Sequence, residues 1–382
     1  MSDDAAPDKS PLDIAVPRDL LPGDGRFCSG PSKVRQAQAD AVAAAGATLL
    51  GTSHRQAPVK NLVGRVRDGL AALFDLPDGY EVLLANGGTT LFWDAATFGL
   101  VERKSQHLCF GEFSAKFAAA VTAAPHLDEP EIIEAPVGTR ADAVGKPGID
   151  LYALTHNETS TGVIAPILRP AGADGDAIVA VDATSAAGGV MVDPSQFDCY
   201  YFAPQKCFGA DAGLWLALCS PAAIERIERI KASGRWTPAV LDLSQAITNS
   251  RANQTLNTPA ISTLILLADQ IDWMLGNGGL SWAASRSEKS ASTLYGWAES
   301  ANYATPFVAQ AEHRSPVVGT VDIDGFDAGH LCDVLRANGV LDTDSYRKLG
   351  RNQIRVGMFP AVEPDDVAAL TATIDYIAER LL

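Results

Sequence analysis

Between about residue 36 and residue 275 the chain alternates short apolar runs with longer amphipathic stretches, and few folds accept that rhythm. The runs fall at 81–85 (EVLLA), 106–110 (QHLCF), 151–155 (LYALT), 177–181 (AIVAV), 199–203 (CYYFA) and 214–219 (LWLALC). Helix-like segments such as 58–74 and 220–232 are interspersed with them. Strands that alternate with helices predict an α/β fold with a mostly parallel sheet flanked by helices.

At 382 residues the chain is too long for one small core, and two domains are expected. Residues 261–275 have helical spacing, after which Gly276, Asn277, Gly278 and Gly279 punctuate the chain. Beyond them a polar helix at 281–300, apolar runs at 316–323 and 353–356, and helices at 327–338 and 364–381 predict a smaller C-terminal α+β domain. The expected division is a flexible N-terminal arm at 1–24, a large domain at 25–275 and a small domain at 276–382. Residues 25–35 are able to pack on the small domain.

A formal net charge of -16 argues against a nucleic-acid partner, which needs a basic footprint. An anionic substrate stays open, because two or three local arginines suffice for one. No apolar run approaches the ~18 residues of a membrane span, and MSDDAAPDKS has no apolar segment of a secretory signal. The six cysteines include no CxxC pair and the six histidines no HxxxH, so a reduced, cytoplasmic, metal-free protein is expected.

In open α/β sheets ligands bind outside the carboxyl ends of the strands. Four groups of polar residues stand at such places. Asn86-Gly87-Gly88-Thr89-Thr90 feeds a helix N-terminus, which suits a phosphate, although the same turn also serves as a purely structural start. Asp182 follows the run 177–181, placed either to hold a cationic ring nitrogen or to cap a helix. Lys206 follows the run 199–203 in Ala203-Pro204-Gln205-Lys206, as a buried amine of depressed pKa or as a surface loop lysine. Ser53-His54-Arg55, Tyr346-Arg347 and Arg355 offer guanidinium groups for carboxylate or phosphate, or for surface ion pairs. Trp93, one helical turn past the phosphate turn, reads as core.

Together these segments resemble the phosphoserine aminotransferase family, fold-type I pyridoxal 5'-phosphate (PLP) enzymes of the class V aminotransferase group. FCSGPSKV (27–34), GTSHR (51–55), HNETSTG (156–162), VDATS (181–185), APQK (203–206) and NTPA (257–260) carry the resemblance, and GEFSAKF and YFAPQK bring it nearest the actinobacterial branch. The resemblance implies that Lys206 is the Schiff-base lysine and proton shuttle, and that Asp182 pairs with the cofactor's ring nitrogen. It implies that Thr89, Thr90 and Gln205 hold the cofactor phosphate, that Thr159 meets the ring hydroxyl, and that Phe113 stacks on the ring. Asn257 and Thr258 would complete the phosphate site across a homodimer interface. Arg55 would clamp the substrate α-carboxylate with Ser29 nearby, and Arg347 and Arg355 would hold the substrate's phosphate or distal carboxylate. The implied substrates are L-glutamate and 3-phosphohydroxypyruvate, with a phosphorylated four-carbon 2-oxo acid as a second acceptor.

The chain departs from the family pattern where Thr90 replaces an arginine, Phe113 a tryptophan, and Tyr346 a histidine. Rival readings keep the scaffold: a PLP lyase or desulfurase, another class V aminotransferase, and a non-enzymatic member. The first needs a mobile cysteine, whereas Cys207 adjoins Lys206 on a strand-turn and reads as packing.

Overall fold

The computed structural model describes residues 14–382. After an extended segment come α1 (Gln36–Ala44) and α2 (Ala57–Leu73). Then follow β1 (Glu81–Gly87), α3 (Thr89–Gly99), β2 (Ser105–Cys109), α4 (Glu112–Thr122), β3 (Glu131–Glu134) and β4 (Leu151–Thr155). Two-residue strands β5 (Asn157–Glu158) and β6 (Val163–Ile164) form a small hairpin ahead of β7 (Ile178–Asp182), β8 (Cys199–Phe202) and β9 (Gly213–Cys219). Helices α5 (Pro221–Ala232), α6 (Leu243–Arg251) and α7 (Ile261–Gly276) come next. The C-terminal part comprises α8 (Gly279–Ser300), β10 (Ala304–Pro306), β11 (Val318–Ile323), α9 (Ala328–Ala337), β12 (Gln353–Gly357) and α10 (Pro364–Leu381).

Seven strands form one sheet in the order β1-β9-β8-β7-β4-β2-β3. β9 is antiparallel to both neighbours, and every other pair is parallel. All strands but β9 therefore point the same way, and the carboxyl ends of β1, β8, β7, β4 and β2 meet on one edge. Alternate residues supply the two faces, as the period of a strand requires. Leu84, Val179, Val181, Tyr200 and Phe202 enter a core with α2 and α7. Leu83, Ile178, Ala180, Cys199 and Tyr201 enter a second core with α3, α4 and α5. Helix α2 shows the matching stripe, burying Val59, Leu62, Val63, Val66, Leu70 and Leu73. Because both faces of β7 and β8 are covered, these strands read as unbroken apolar runs.

Edge strand β3 escapes the sequence reading for the opposite reason: none of its four residues is fully buried, and Ile132 is 42% exposed. The glycines after α7 open no linker; they turn α7 into α8 across Asn277 and Gly278, with Gly278 at φ +119°. A three-stranded antiparallel sheet, β10-β11-β12, then packs with α8, α9 and α10 around Leu294, Val321, Leu331, Ile354, Leu370 and Ile374.

Of the arm expected at 1–24, residues 1–13 lie outside the described residues, and residues 14–24 differ from a mobile arm. Val16 is buried in the C-terminal core together with Phe27. Asn338 grips the Val16 N–H and the Ile14 carbonyl, Thr373 donates to the Leu20 carbonyl, and Asp366 accepts from the Gly23 N–H. Residues 25–27 then run alongside Leu341 and β12. Among the described residues no helix is long and apolar enough to cross a membrane.

Candidate active site

A cavity of about 220 Å³ opens at the shared carboxyl edge. Each connection that leaves β1, β2, β4, β7 and β8 contributes to its wall: Thr89, Thr90 and Trp93; Phe113; Asn157 and Thr159; Asp182 and Thr184; Gln205 and Lys206. The sheet direction alone explains why residues more than a hundred positions apart converge here.

Asp182 ends β7 and is 6% exposed. One carboxylate oxygen accepts the Trp93 indole N–H at 3.1 Å. The other accepts the Thr184 backbone N–H at 3.0 Å and its hydroxyl at 2.6 Å. Burial pushes the carboxyl up to about 6 against the pull of these bonds. All three donors are neutral, so a buried carboxylate faces the cavity without a cationic hydrogen-bond partner. A protonated aromatic nitrogen fits that deficit.

Lys206 lies in the turn after β8, and its Nζ donates to the Ser29 carbonyl at 2.7 Å. Burial first, and the Arg355 charge second, lower its amine from the ordinary 10.5 to about 8. Gly30 runs so close over the lysine that a Cβ there would meet Nζ at 1.7 Å, and its φ is +139°. The stretch fixed to the C-terminal core at Phe27 thus crosses Lys206 before Ser32 bonds the Gln205 carbonyl.

Arg355, on β12, reaches the site from the C-terminal sheet. Its Nη1 donates to the Thr159 carbonyl at 3.3 Å and its guanidinium lies over the Tyr346 ring. Burial lowers its pKa, and its Nε is buried without a partner. Ser29 Oγ, Asn157 Oδ1 and Gln205 Oε1 are buried and unpartnered as well. Native interiors rarely leave such atoms unsatisfied, and a ligand with several polar groups would satisfy this set. The start of α3 adds free N–H groups, because Gly88 gives no side-chain cap.

Phe113 lines the cavity and contacts Tyr346 at 5.9 Å between ring centroids. Its position is set by Glu158, a fully buried carboxylate on β5 that accepts from the Phe113 and Ser114 N–H groups and from the Ser160 hydroxyl. That clamp joins the start of α4 to the strand carrying Asn157. Thr159 donates its hydroxyl to Ser185 at 2.8 Å. Cys207 is buried, and desolvation raises its thiol far above the ordinary value, unlike a mobile nucleophile.

Several expected residues lie elsewhere. Arg55 is exposed and bonds Gln254 at 2.8 Å, outside the cavity of its own chain. Asn257 and Thr258 are exposed too, with Thr258 contacting His54 at 3.1 Å and its carbonyl accepting from Asn86. Arg347 is exposed beside Lys348, whose ammonium pairs with Glu112. Four wall residues, Thr155 at the end of β4 among them, carry no site assignment in the sequence. Trp93 is one, and its indole N–H makes it more than core; Asn157 and Thr184 sit inside the segments that carry the resemblance. Among the described residues, no cluster of three or more His, Cys, Asp or Glu could hold a metal.

The class-V aminotransferase family pattern matches residues 30–341. A Mycolicibacterium vanbaalenii protein is 63% identical over 369 residues, covering 96% of this chain and 99% of its own. A phosphoserine aminotransferase of a Nocardioides species is 59% identical over 370 residues, covering 96% and 99%. The crystal structure of a phosphoserine aminotransferase from Cytophaga hutchinsonii superposes with a TM-score of 0.85 at 25% identity, covering 92% of this chain and 99% of its own.

Proposed function

This chain belongs to the class-V aminotransferase family, and from that premise we propose that it uses PLP to transfer the amino group of L-glutamate to 3-phosphohydroxypyruvate, giving O-phospho-L-serine and 2-oxoglutarate. One observation carries the chemistry: a lysine lowered to about 8 and a buried carboxylate held only by neutral donors line the same cavity. The choice of substrates rests on what the relatives are named for.

When bound, PLP supplies a protonated ring that stores the electron pair released at the substrate α-carbon. Asp182 would hold the ring nitrogen, Lys206 the aldehyde carbon, and Phe113 a ring face. Thr90, Gln205 and the N–H groups opening α3 would hold the phosphate. Asn157 and Thr159, which line the same cavity, would meet the ring hydroxyl. Lys206 Nζ takes the α-proton of each amino donor and returns one to each acceptor, work suited to an amine poised near neutrality. The pH dependence follows from the direction of its shift. A lowered pKa means the neutral amine accumulates as pH rises through about 8 rather than 10.5. Covalent capture of PLP by the apoprotein, followed by absorbance, should therefore speed up from neutral pH and level off above about 9. A rate still climbing beyond that would count against a buried Lys206.

The arginines divide differently from the family-based expectation. Arg355 is half-buried and near enough to Lys206 to lower its pKa, so it suits the α-carboxylate that both substrates carry beside the reacting carbon. Arg347 and Arg55 suit the distal phosphate or carboxylate. Arg355→Ala should impair both half-reactions by roughly a hundredfold, the scale of a lost charged hydrogen-bond pair. Arg347→Ala should mainly raise KM for the phosphorylated acceptor; equal losses for both substrates would contradict this division.

The reading extends to a homodimer in the cytoplasm. Arg55, Asn257 and Thr258 share an exposed area of one chain, and a second copy docked there would receive Asn257 and Thr258 at its phosphate site. A phosphorylated four-carbon 2-oxo acid is a second acceptor. The deciding experiment is a coupled assay with glutamate and 3-phosphohydroxypyruvate, run beside the absorbance spectrum of the purified holoprotein. Phosphoserine formation, with a visible band that bleaches on glutamate alone, is expected. No product and an unchanged spectrum from PLP-loaded protein would end the reading.

A further inference from the structure

The hydrogen bonds around Asp182 form a chain with a fixed direction. Thr184 Oγ1 lies 2.6 Å from Asp182 Oδ1, and an ionised carboxylate only accepts, so the Thr184 proton points at Asp182. Thr184 Oγ1 is also 2.8 Å from Thr89 Oγ1. With the Thr184 proton already committed, the Thr89 hydroxyl must be the donor in that contact. Its proton is then used up, and Thr89 can offer a phosphate only its backbone N–H. On the other carboxylate oxygen sits the Trp93 indole N–H, at 3.1 Å. Trp93 and Thr89 are 5% and 8% exposed, so water competes little for these bonds.

We propose that Trp93, Thr184 and Thr89 are positioning residues that keep Asp182 ionised and aimed at the ring nitrogen, with the Thr89 hydroxyl serving this relay rather than the cofactor phosphate. The proposal rests on the PLP reading above and assigns roles within that site. Burial alone drives Asp182 toward its neutral acid, which could not neutralise a pyridinium; the donors oppose that drift. The other titratable groups facing Asp182 are Lys206 from the turn after β8, Glu158 from β5, and Tyr200 and Tyr201 from β8. Lys206 favours the ionised carboxylate and Glu158 disfavours it. Both tyrosines are held neutral by burial, their pKa values raised well above the ordinary one.

The relay also reverses with ionisation. Once Asp182 is protonated it can donate to Thr184, which frees the Thr89 hydroxyl to turn outward. Occupancy of the phosphate turn and the charge at Asp182 are thereby linked through two hydroxyl groups.

The test uses the full-length, cofactor-free chain and its six tryptophan indole N–H resonances in nitrogen-15 spectra. The resonance missing from Trp93→Phe should move with pH, with a midpoint at about 6. Thr184→Val should raise that midpoint and Thr184→Ser should restore it. Thr89→Val should raise it by less. PLP affinity, measured separately by fluorescence quenching, should fall roughly tenfold in Thr184→Val, the scale of one hydrogen bond to a charged group. An indole resonance that ignores pH, or a Thr184→Val midpoint equal to wild type, overturns the relay. If Trp93→Phe fails to fold, the Trp93 resonance is assigned from the wild-type backbone instead, and the Thr184 pair is read on it unchanged. A chain that shows the titration but no amino transfer in the coupled assay would reject the enzymatic reading and keep the relay, while transfer without the titration would reject the relay alone.

Discussion

Lys206→Ala should abolish amino transfer while leaving PLP bound without a covalent link. The lysine is asked to do two things, to hold the aldehyde and to carry the α-proton, and alanine does neither. Loss of the proton carrier alone is worth about 10²–10⁴ in rate, and loss of covalent attachment adds to it. The remaining wall, with Asp182, Thr90, Gln205 and the start of α3, stays in place, so the cofactor should still associate and should leave on dialysis. The measurement is borohydride treatment followed by mass analysis. In the wild type the added mass should map to Lys206; in the variant no lysine should carry it. A cofactor fixed to another lysine, or turnover that survives the substitution, would sink the assignment.

Asp182→Asn should cost the most cofactor affinity among the wall residues. Truncating one partner of a buried charge pair costs about 2–5 kcal/mol, because the other charge is left unpaired. Turnover should fall with affinity, since a neutral ring stores electrons poorly. The apoprotein tells the other half. Its Asp182 carboxyl is raised from 3.8 to about 6, so the fold prefers the protonated form. The stability cost is absent below about 4, grows as pH rises between those two values, and is fully present above about 6. At about 1.4 kcal/mol per unit it amounts to about 3 kcal/mol. Asparagine does not titrate, so the variant apoprotein should lack this slope in its Tm across that interval. Equal slopes in the two apoproteins would mean that Asp182 is not buried as described. On the proposed reading, the residue that destabilises the apoprotein would be the one that holds the ring.

Much of this was legible in the sequence where burial left a local trace. β7 and β8 are covered on both faces, so their residues are continuously apolar, and Asp182 at the end of β7 and Lys206 in the turn after β8 are visible as polar breaks, each with a structural alternative that the sequence alone leaves open. β3 left no such trace because it is an exposed edge. Trp93 was misleading for another reason: its ring does pack into a core, and only the tertiary structure shows where its one polar atom points. The division among Arg55, Arg347 and Arg355 was also out of reach. Every guanidinium looks alike in sequence, and which one loses water depends on how the C-terminal sheet sits over the cavity. Residues 14–24 looked structureless because their contacts, with Asn338, Asp366 and Thr373, lie more than 300 positions away.

Those same contacts matter to anyone recombining this chain with a relative. By contact, residues 14–27 belong with the C-terminal sheet, although they are encoded at the opposite end of the gene. A chimera that exchanged only 276–382 would set a foreign core against a native strap, and the strap's next residues are the ones that hold the Lys206 amine. The natural module for exchange is therefore discontinuous, made of both ends of the chain, and its two pieces must travel together.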